Sequence, residues 1–317
     1  MGSTWLSRTT TISPCRKGLG MVPTTMNLSM KTLAKNALPK DLRIFLRRAY
    51  YFGMRHHCNV CNNHVRNMFN SGYNFPVLNE LDVIGGEAIP FDICPVCFSN
   101  SRTRLLCEYL LREIKIENIL SQINVLHIAP EYGILSRLRK NARNYIAVDI
   151  CPQQYNDIGG VRYCDITAID YPDERFDLII CSHILEHIPD DRSAIKELFR
   201  VLKPNGTAIL QVPISASLQR TVEDPYLTDP RERERRFGQH DHVRIYGADY
   251  PTRLREGGFS IDIFDPVSRW GNAVVNELRL NRREKIFLGR KLAGPTAGDE
   301  VGFVTSLEAN AADRRSH

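Results

Sequence analysis

Long apolar runs are missing from this chain of 317 residues, and nothing in it approaches the roughly 18 consecutive apolar residues of a membrane-spanning helix. A glycine-rich phosphate loop is missing too. The strand-like stretch 125-VLHIAPEYG-133 continues into Ala129, Pro130 and Glu131 where a dinucleotide site places glycines, and only Gly133 is left. Acidic residues are nearly absent from residues 1–57, where ten Lys and Arg face the single Asp41. That segment therefore carries +9 of the chain's net +6, and the remainder is slightly acidic. Its Ser/Thr-rich start has no apolar signal core, and Leu6 stands where N-myristoylation needs Ser or Thr. The expectation for residues 1–40 is a basic, disordered extension punctuated by Pro14, Pro23 and Pro39. No internal repeat is visible. Outside the basic start no platform of aromatic and basic residues marks a nucleic-acid surface.

What is present is an ordinary globular composition, 43% hydrophobic and 25% charged, sufficient for a real core. Nine Cys include two CxxC pairs, Cys58/Cys61 and Cys94/Cys97. Paired spacing of this kind suits thiolates on a tetrahedral zinc in a reducing, cytoplasmic setting better than a disulfide framework. The 32 residues between the pairs exceed the usual ribbon spacing. Loop closure costs only about 0.6 kcal/mol per doubling of length, so the gap does not exclude the site. His56, His57 and His64 lie close enough in sequence to replace one thiolate. Four protein ligands leave no open position, so the metal is expected to be structural. The spacing of Leu42, Ile44, Phe45 and Tyr50 predicts a helix over 41–53, capped by Asp41. A second helix is expected over 101–114.

From residue 123 onward short apolar strands alternate with helical patterns. That pattern predicts an α/β fold, a mainly parallel Rossmann-like sheet with helices on both faces, preceded by a small zinc-ribbon-like module. The expected units are a 1–40 extension, a 41–118 module, a 119–291 α/β domain and a disordered 292–317 tail. Ligands of such sheets bind beyond the strand ends. There the sequence offers Asp149 with Ile150 after the second strand, a carboxylate suited to two ribose hydroxyls. Asp165 follows the third strand, suited to an adenine amine. Ser182 and His183 follow the fourth, with Glu186 and a structural His187 beyond them. Glu131 would repel a pyrophosphate, whereas it tolerates a cofactor with adenosine, a sulfonium and an ammonium but no phosphate.

At this point the residues resemble a family. The stretch 176-FDLIICSHILEHIPDDRSAIKELFRVLKPNGTAILQVPI-214 is similar to the fourth-to-fifth-strand region of class I S-adenosylmethionine-dependent methyltransferases of the type 11 group. Its LKPNG turn and HxxEH stretch carry the likeness, together with VLHIAPEYG, AVDI and CDIT. The resemblance implies a seven-stranded sheet whose last strand, EKIFLGRK, enters antiparallel. It implies S-adenosylmethionine as cofactor, with the first-strand turn (His127, Ala129, Glu131, Gly133) at the methionine end. Asp149 then takes the ribose, and Asp165 with Ile166 takes the adenine. His127 occupies the family's usual acidic position. The four-Cys stretch resembles modules that precede some ribosomal RNA base methyltransferases.

The insertion 232-ERERRFGQHDHVRIYG-247 falls where this fold builds its acceptor pocket, and concentrates His240, Asp241, His242 and Arg244. An Asp241–His242 pair is expected to supply a base, with His183 as the other candidate and Arg244 orienting the acceptor. The favoured acceptor is a small-molecule or glycan hydroxyl. The alternatives are RNA held by the zinc module and basic arm, and an inactive fold used for binding.

Overall fold

The computed structural model describes residues 39–140, 142 and 144–293, so the expectations for residues 1–38 and for the tail from 294 lie outside the described residues. Helix α1 (Lys40–Tyr51) starts one residue before Asp41, with Pro39 at the cap position, so Asp41 is not the N-cap. Its predicted apolar face does not pack inward, for Leu42, Phe45 and Tyr50 are exposed.

Two antiparallel pairs build the cysteine module. Strand β1 (Phe52–Cys58) pairs with β2 (Asn63–Val65), and β3 (Phe69–Ser71) pairs with β5 (Ile89–Ile93). Between β3 and β5 lie a short helix α2 (Pro76–Glu80) and β4 (Val83–Ile84). Helix α3 (Ser101–Arg112) follows, capped by Asn100, whose side chain accepts from the Thr103 N–H at 3.0 Å. The boundary expected at residue 118 falls inside α4 (Ile116–Ile119).

The parallel strands are β6 (Asn124–Ile128), β7 (Asn144–Asp149), β8 (Val161–Tyr163), β9 (Phe176–Ser182) and β10 (Leu202–Gln211). Two short pairs in the insertion use β11 (Ile214–Ser215), β12 (Val222–Glu223) and β13 (Arg244–Ile245). The sheet closes with β14 (Ser260–Phe264) and β15 (Ile286–Arg290). Its seven strands run in the order β14-β15-β10-β9-β6-β7-β8, with β15 antiparallel to both neighbours, as the resemblance implies. The order reverses between β6 and β9, which places the ligand crevice there.

The insertion adds α7 (Pro230–Phe237), and one face of the sheet is covered by α6 (Asp191–Val201) and α8 (Tyr250–Glu256). The other is covered by α3, α5 (Tyr132–Leu138), α9 (Pro266–Glu277) and the cysteine module itself. Helix α9, kinked at Gly271, was not foreseen between the last two strands. Cys58, Val60, Val65 and Val96 share a single apolar cluster with Leu105, Ile134, Val125 and Ile180, so the module has no core of its own. β4 also pairs with β11. The fully buried Arg104 ties the units together, donating to the carbonyls of Asp92 and Leu278 at 2.6 and 2.8 Å and to the Asp92 carboxylate at 2.9 Å.

The first cysteine turn approaches α5 closely at Gly133, where an added Cβ would lie 2.3 Å from Val60 Cγ1. Overfilling such a contact typically costs about 1–3 kcal/mol. Gly133→Ala should therefore lose about that much in urea unfolding, and Val60→Ala in the same chain should restore part of it. Simple addition of the two losses would contradict this packing.

Candidate active site

Each CxxC pair sits in a turn closed by a residue of left-handed conformation, Asn62 (φ 52°) after Cys61 and Phe98 (φ 60°) after Cys97. The turns meet face to face. Cys58 and Cys97 Sγ are 3.7 Å apart, Cys61 and Cys94 Sγ 3.8 Å, and all four sulfurs lie within 4.8 Å of one another. The Ser99 hydroxyl is 3.2 Å from Cys58 Sγ and 3.0 Å from Cys97 Sγ. The histidines offered as substitutes stay outside: His57 bonds Asn62 at 2.9 Å and its ring lies against His64.

The first-strand turn is a closed relay. Glu131 accepts from His127 Nε2 at 3.0 Å, and His127 Nδ1 shares a hydrogen bond with the Tyr145 hydroxyl at 2.7 Å. Burial alone would raise the Glu131 pKa, yet the His127 hydrogen bond and charge hold it below the usual carboxylate value. The other carboxylate oxygen, Oε1, is buried with no hydrogen-bond partner. Ala129 takes φ 44° at the glycine-type position, a conformation that costs a non-glycine residue about 1–2 kcal/mol. Pro130 and Glu131 precede the helix instead of forming its first turn, since α5 starts at Tyr132. Gly133 is explained by Val60 packing, whatever it does toward a ligand.

Asp149 is buried at the end of β7 and accepts from the Cys151 N–H at 2.7 Å and the Tyr155 hydroxyl at 3.1 Å. Ile150 beside it is half-buried. Asp165 closes a local turn, accepting from the Thr167 N–H at 2.9 Å and hydroxyl at 2.8 Å, and Ile166 packs inward. Ser182 ends β9 with its hydroxyl 3.5 Å from Gln211 Oε1. His183 follows in a left-handed conformation, φ 54°, as expected for a residue held strained at a working site. Its Nε2 is buried without a hydrogen-bond partner, and its Nδ1 lies 3.4 Å from Glu186.

The acceptor side departs from the sequence expectation in two places. Asp241 does not pair with its neighbour His242; its carboxylate lies 3.3 Å from His187 Nδ1 and accepts from Gln239 at 2.8 Å. Arg244 is not available to an acceptor. It is 1% exposed and donates to Glu223 at 3.0 Å and to the carbonyls of Leu185, Ile188 and Pro189. Its role is to clamp the turn that carries Glu186 and His187. Burial lowers His242 to about 3, so its imidazole is neutral near pH 7. Burial would raise Glu186, but the imidazoles of His183, His187 and His242 hold it at about 2.

Three site residues escaped the sequence reading. Gln211, at the end of β10, donates to the buried Glu284 at 2.9 Å, and Glu284 lies 3.6 Å from His183 Nε2. Gly85 of the module closes over the same ring; a Cβ there would meet His183 Cε1 at 3.2 Å. Only the Gly85–Gly86 pair was a sequence signal, since the two polar partners meet through tertiary packing. The relay at the first turn yields a pH test. Glu131, with its folded pKa lowered, stabilises above the ordinary Glu value and loses that contribution as pH falls through the folded value. Glu131→Gln should cost about 1.5–3 kcal/mol near pH 7 and flatten the fall in melting temperature as pH drops below the ordinary Glu range. Parallel melting profiles would contradict it.

Residues 129–210 match the family model for a methyltransferase domain of type 11. The 27-O-demethylrifamycin SV methyltransferase of Amycolatopsis mediterranei is 30% identical over 112 residues, covering 34% of this chain and 38% of that protein. The ubiquinone biosynthesis O-methyltransferase of Bradyrhizobium diazoefficiens is 30% identical over 116 residues, covering 33% of this chain and 45% of that protein. The chain thus spans less than half the length of these curated relatives. The solved structure of YcgJ from Bacillus subtilis aligns with 59% of this chain and 99% of its own, at 19% identity and a TM-score of 0.38. The family match covers β9, the LEH turn, α6 and most of β10, inside a seven-stranded sheet with an antiparallel β15. Residues 129–210 thus match a methyltransferase domain, set within a seven-stranded sheet whose last strand is antiparallel.

Proposed function

We propose that the chain transfers the methyl group of S-adenosylmethionine to a hydroxyl of a small-molecule or glycan acceptor. The observation that carries the cofactor choice is Glu131 Oε1, a buried carboxylate oxygen without a hydrogen-bond partner at the first-strand turn. Such an atom fits the ammonium of a cationic cofactor and repels a pyrophosphate. Asp149 and Asp165 stand at the next two strand ends, where ribose and adenine would lie. Two relatives bear names that denote methylation of a small molecule, one of them an O-methyltransferase.

The residues at the end of β9 suit the proton side of this reaction. As the O–CH3 bond forms, the S–CH3 bond breaks and its electron pair stays on sulfur. The hydroxyl proton must then pass to a base. His183 is the group best placed, because its Nε2 has no hydrogen-bond partner and its backbone conformation fixes the ring beneath Gly85. His242, neutral and buried nearby, completes the polar wall.

The cysteine cluster is proposed to hold one structural zinc. Zinc bonds of ~2.3 Å to four sulfurs in a tetrahedron require sulfur separations of about 3.8 Å. The observed 3.7 and 3.8 Å match this. Metal analysis of the purified chain should find one tightly held zinc, absent after Cys58→Ser and Cys94→Ser; less than one in the native chain contradicts the assignment. Calorimetric titration with S-adenosylmethionine should show one site, weakened at least about tenfold by Asp149→Asn, which removes a charge-assisted hydrogen bond. His183→Ala should keep that site but slow formation of S-adenosylhomocysteine, with a panel of hydroxylated acceptors, by about 10²–10⁴-fold. No detectable cofactor binding would refute the reaction, and undiminished turnover would remove His183 as the base.

A further inference from the structure

Beyond the strand-end acids, the turn after β9 holds a second cluster whose internal pairing is incomplete. Glu186 Oε1, His187 and His242 bring a carboxylate and two imidazoles together with donor atoms within 4.8 Å of one another. Glu186 is 1% exposed, and neither of its carboxylate oxygens has a hydrogen-bond partner. The nearest imidazole nitrogens, His183 Nδ1 at 3.4 Å and His187 Nε2 at 3.8 Å from Oε1, stand farther off than a charge-assisted hydrogen bond, and a buried carboxylate favours a cation closer than these.

The orientation of His187 sharpens the point. Its Nδ1 faces two acceptors, the backbone carbonyl and the carboxylate of Asp241, each at 3.3 Å. An Nδ1 proton serves both acceptors, and Nε2 faces Glu186 Oε1 at 3.8 Å. With Nε2 unprotonated, its lone pair and Glu186 Oε1 are two donors that a single cation can hold together. A carboxylate holding the far N–H of an imidazole is also the usual outer support of a metal-ligating histidine. Gln239 holds Asp241 in turn at 2.8 Å, and Arg244 clamps the Leu185–Pro189 turn that presents both ligands.

We propose that Glu186, His187 and His242 form a binding site for one divalent first-row transition-metal ion beside His183. Two imidazoles and one carboxylate are the donor set such ions accept while keeping open positions. An ion held at ~2.1 Å by each donor asks for donor separations of about 3–4 Å, a closure of about an ångström from the present arrangement. His187 is 18% exposed and provides the approach from solvent. The ion's use rests on the methyl-transfer reading: a hydroxyl bound at an open position becomes more acidic and gives its proton to His183 more readily. The binding itself does not depend on that reading. It also stands apart from the cysteine cluster, whose sulfur donors belong to other elements.

The test uses the full chain with zinc already bound at the cysteines, titrated with Mn2+ and followed by the loss of the free-ion electron paramagnetic resonance signal. One Mn2+ should bind per chain. Glu186→Gln and His242→Gln should each weaken it at least about tenfold, as expected when one of three protein ligands is lost, with unchanged zinc content and melting as folding controls. A Co2+ titration should give weak visible bands without the near-ultraviolet sulfur charge-transfer absorption of a thiolate site. Absence of both Mn2+ and Co2+ binding, or equal binding by Glu186→Gln and His242→Gln, overturns the site. S-adenosylmethionine titration of the same samples separates the two claims. Cofactor binding without Mn2+ or Co2+ refutes the ion alone, and Mn2+ binding without cofactor refutes the reaction alone.

Discussion

The contact between Val60 and Gly133 sets the geometry on which the active end of the sheet depends. The first cysteine turn lies so close to α5 that a Cβ at Gly133 would stand 2.3 Å from Val60 Cγ1 and force the two apart. The first-strand turn is thereby shaped from outside by the cysteine module, and a run of glycines is not what forms it. Held this way, Glu131 turns back to His127, His127 is fixed by Tyr145, and one carboxylate oxygen is left for a cationic ligand. Ala129 keeps the left-handed backbone that a glycine would take more cheaply.

The same module closes the other half of the site. Its Gly85 loop covers His183, and the Glu87 carboxylate of that loop accepts from the Gly85 N–H at 2.5 Å and from Asn281 at 2.7 Å. Arg104 joins the module to the end of α9 through bonds that no solvent reaches. The cysteine turns therefore share one apolar core with β6, β9 and α5, the elements that carry the first-strand turn and His183. Loosening the thiols would be felt at both the cofactor end and the acceptor end.

Much of this was legible in the sequence because it is local. Strand ends and the CxxC turns follow from short-range patterns of apolar residues and spacing, and the antiparallel last strand follows from the family resemblance. Partner choice was not legible. Asp241 stands next to His242 in the chain yet serves His187, since the insertion folds its backbone over the Glu186 turn. Arg244 reads as an anion-binding residue, but the carbonyls of Leu185, Ile188 and Pro189 consume its donors. The module reads as a separate unit because its cysteines cluster in sequence, whereas its apolar residues are completed only by β6, β9 and α5.

The central claim is that the cysteine cluster and the first-strand turn act as one structure. It is tested most directly by calorimetric titration of S-adenosylmethionine into the full chain before and after zinc is withdrawn by a chelator, at a temperature where the α/β sheet remains folded by circular dichroism. The account predicts a single cofactor site in the zinc-loaded chain and its loss on withdrawal, with recovery when zinc is restored. Equal affinity with and without zinc would contradict it.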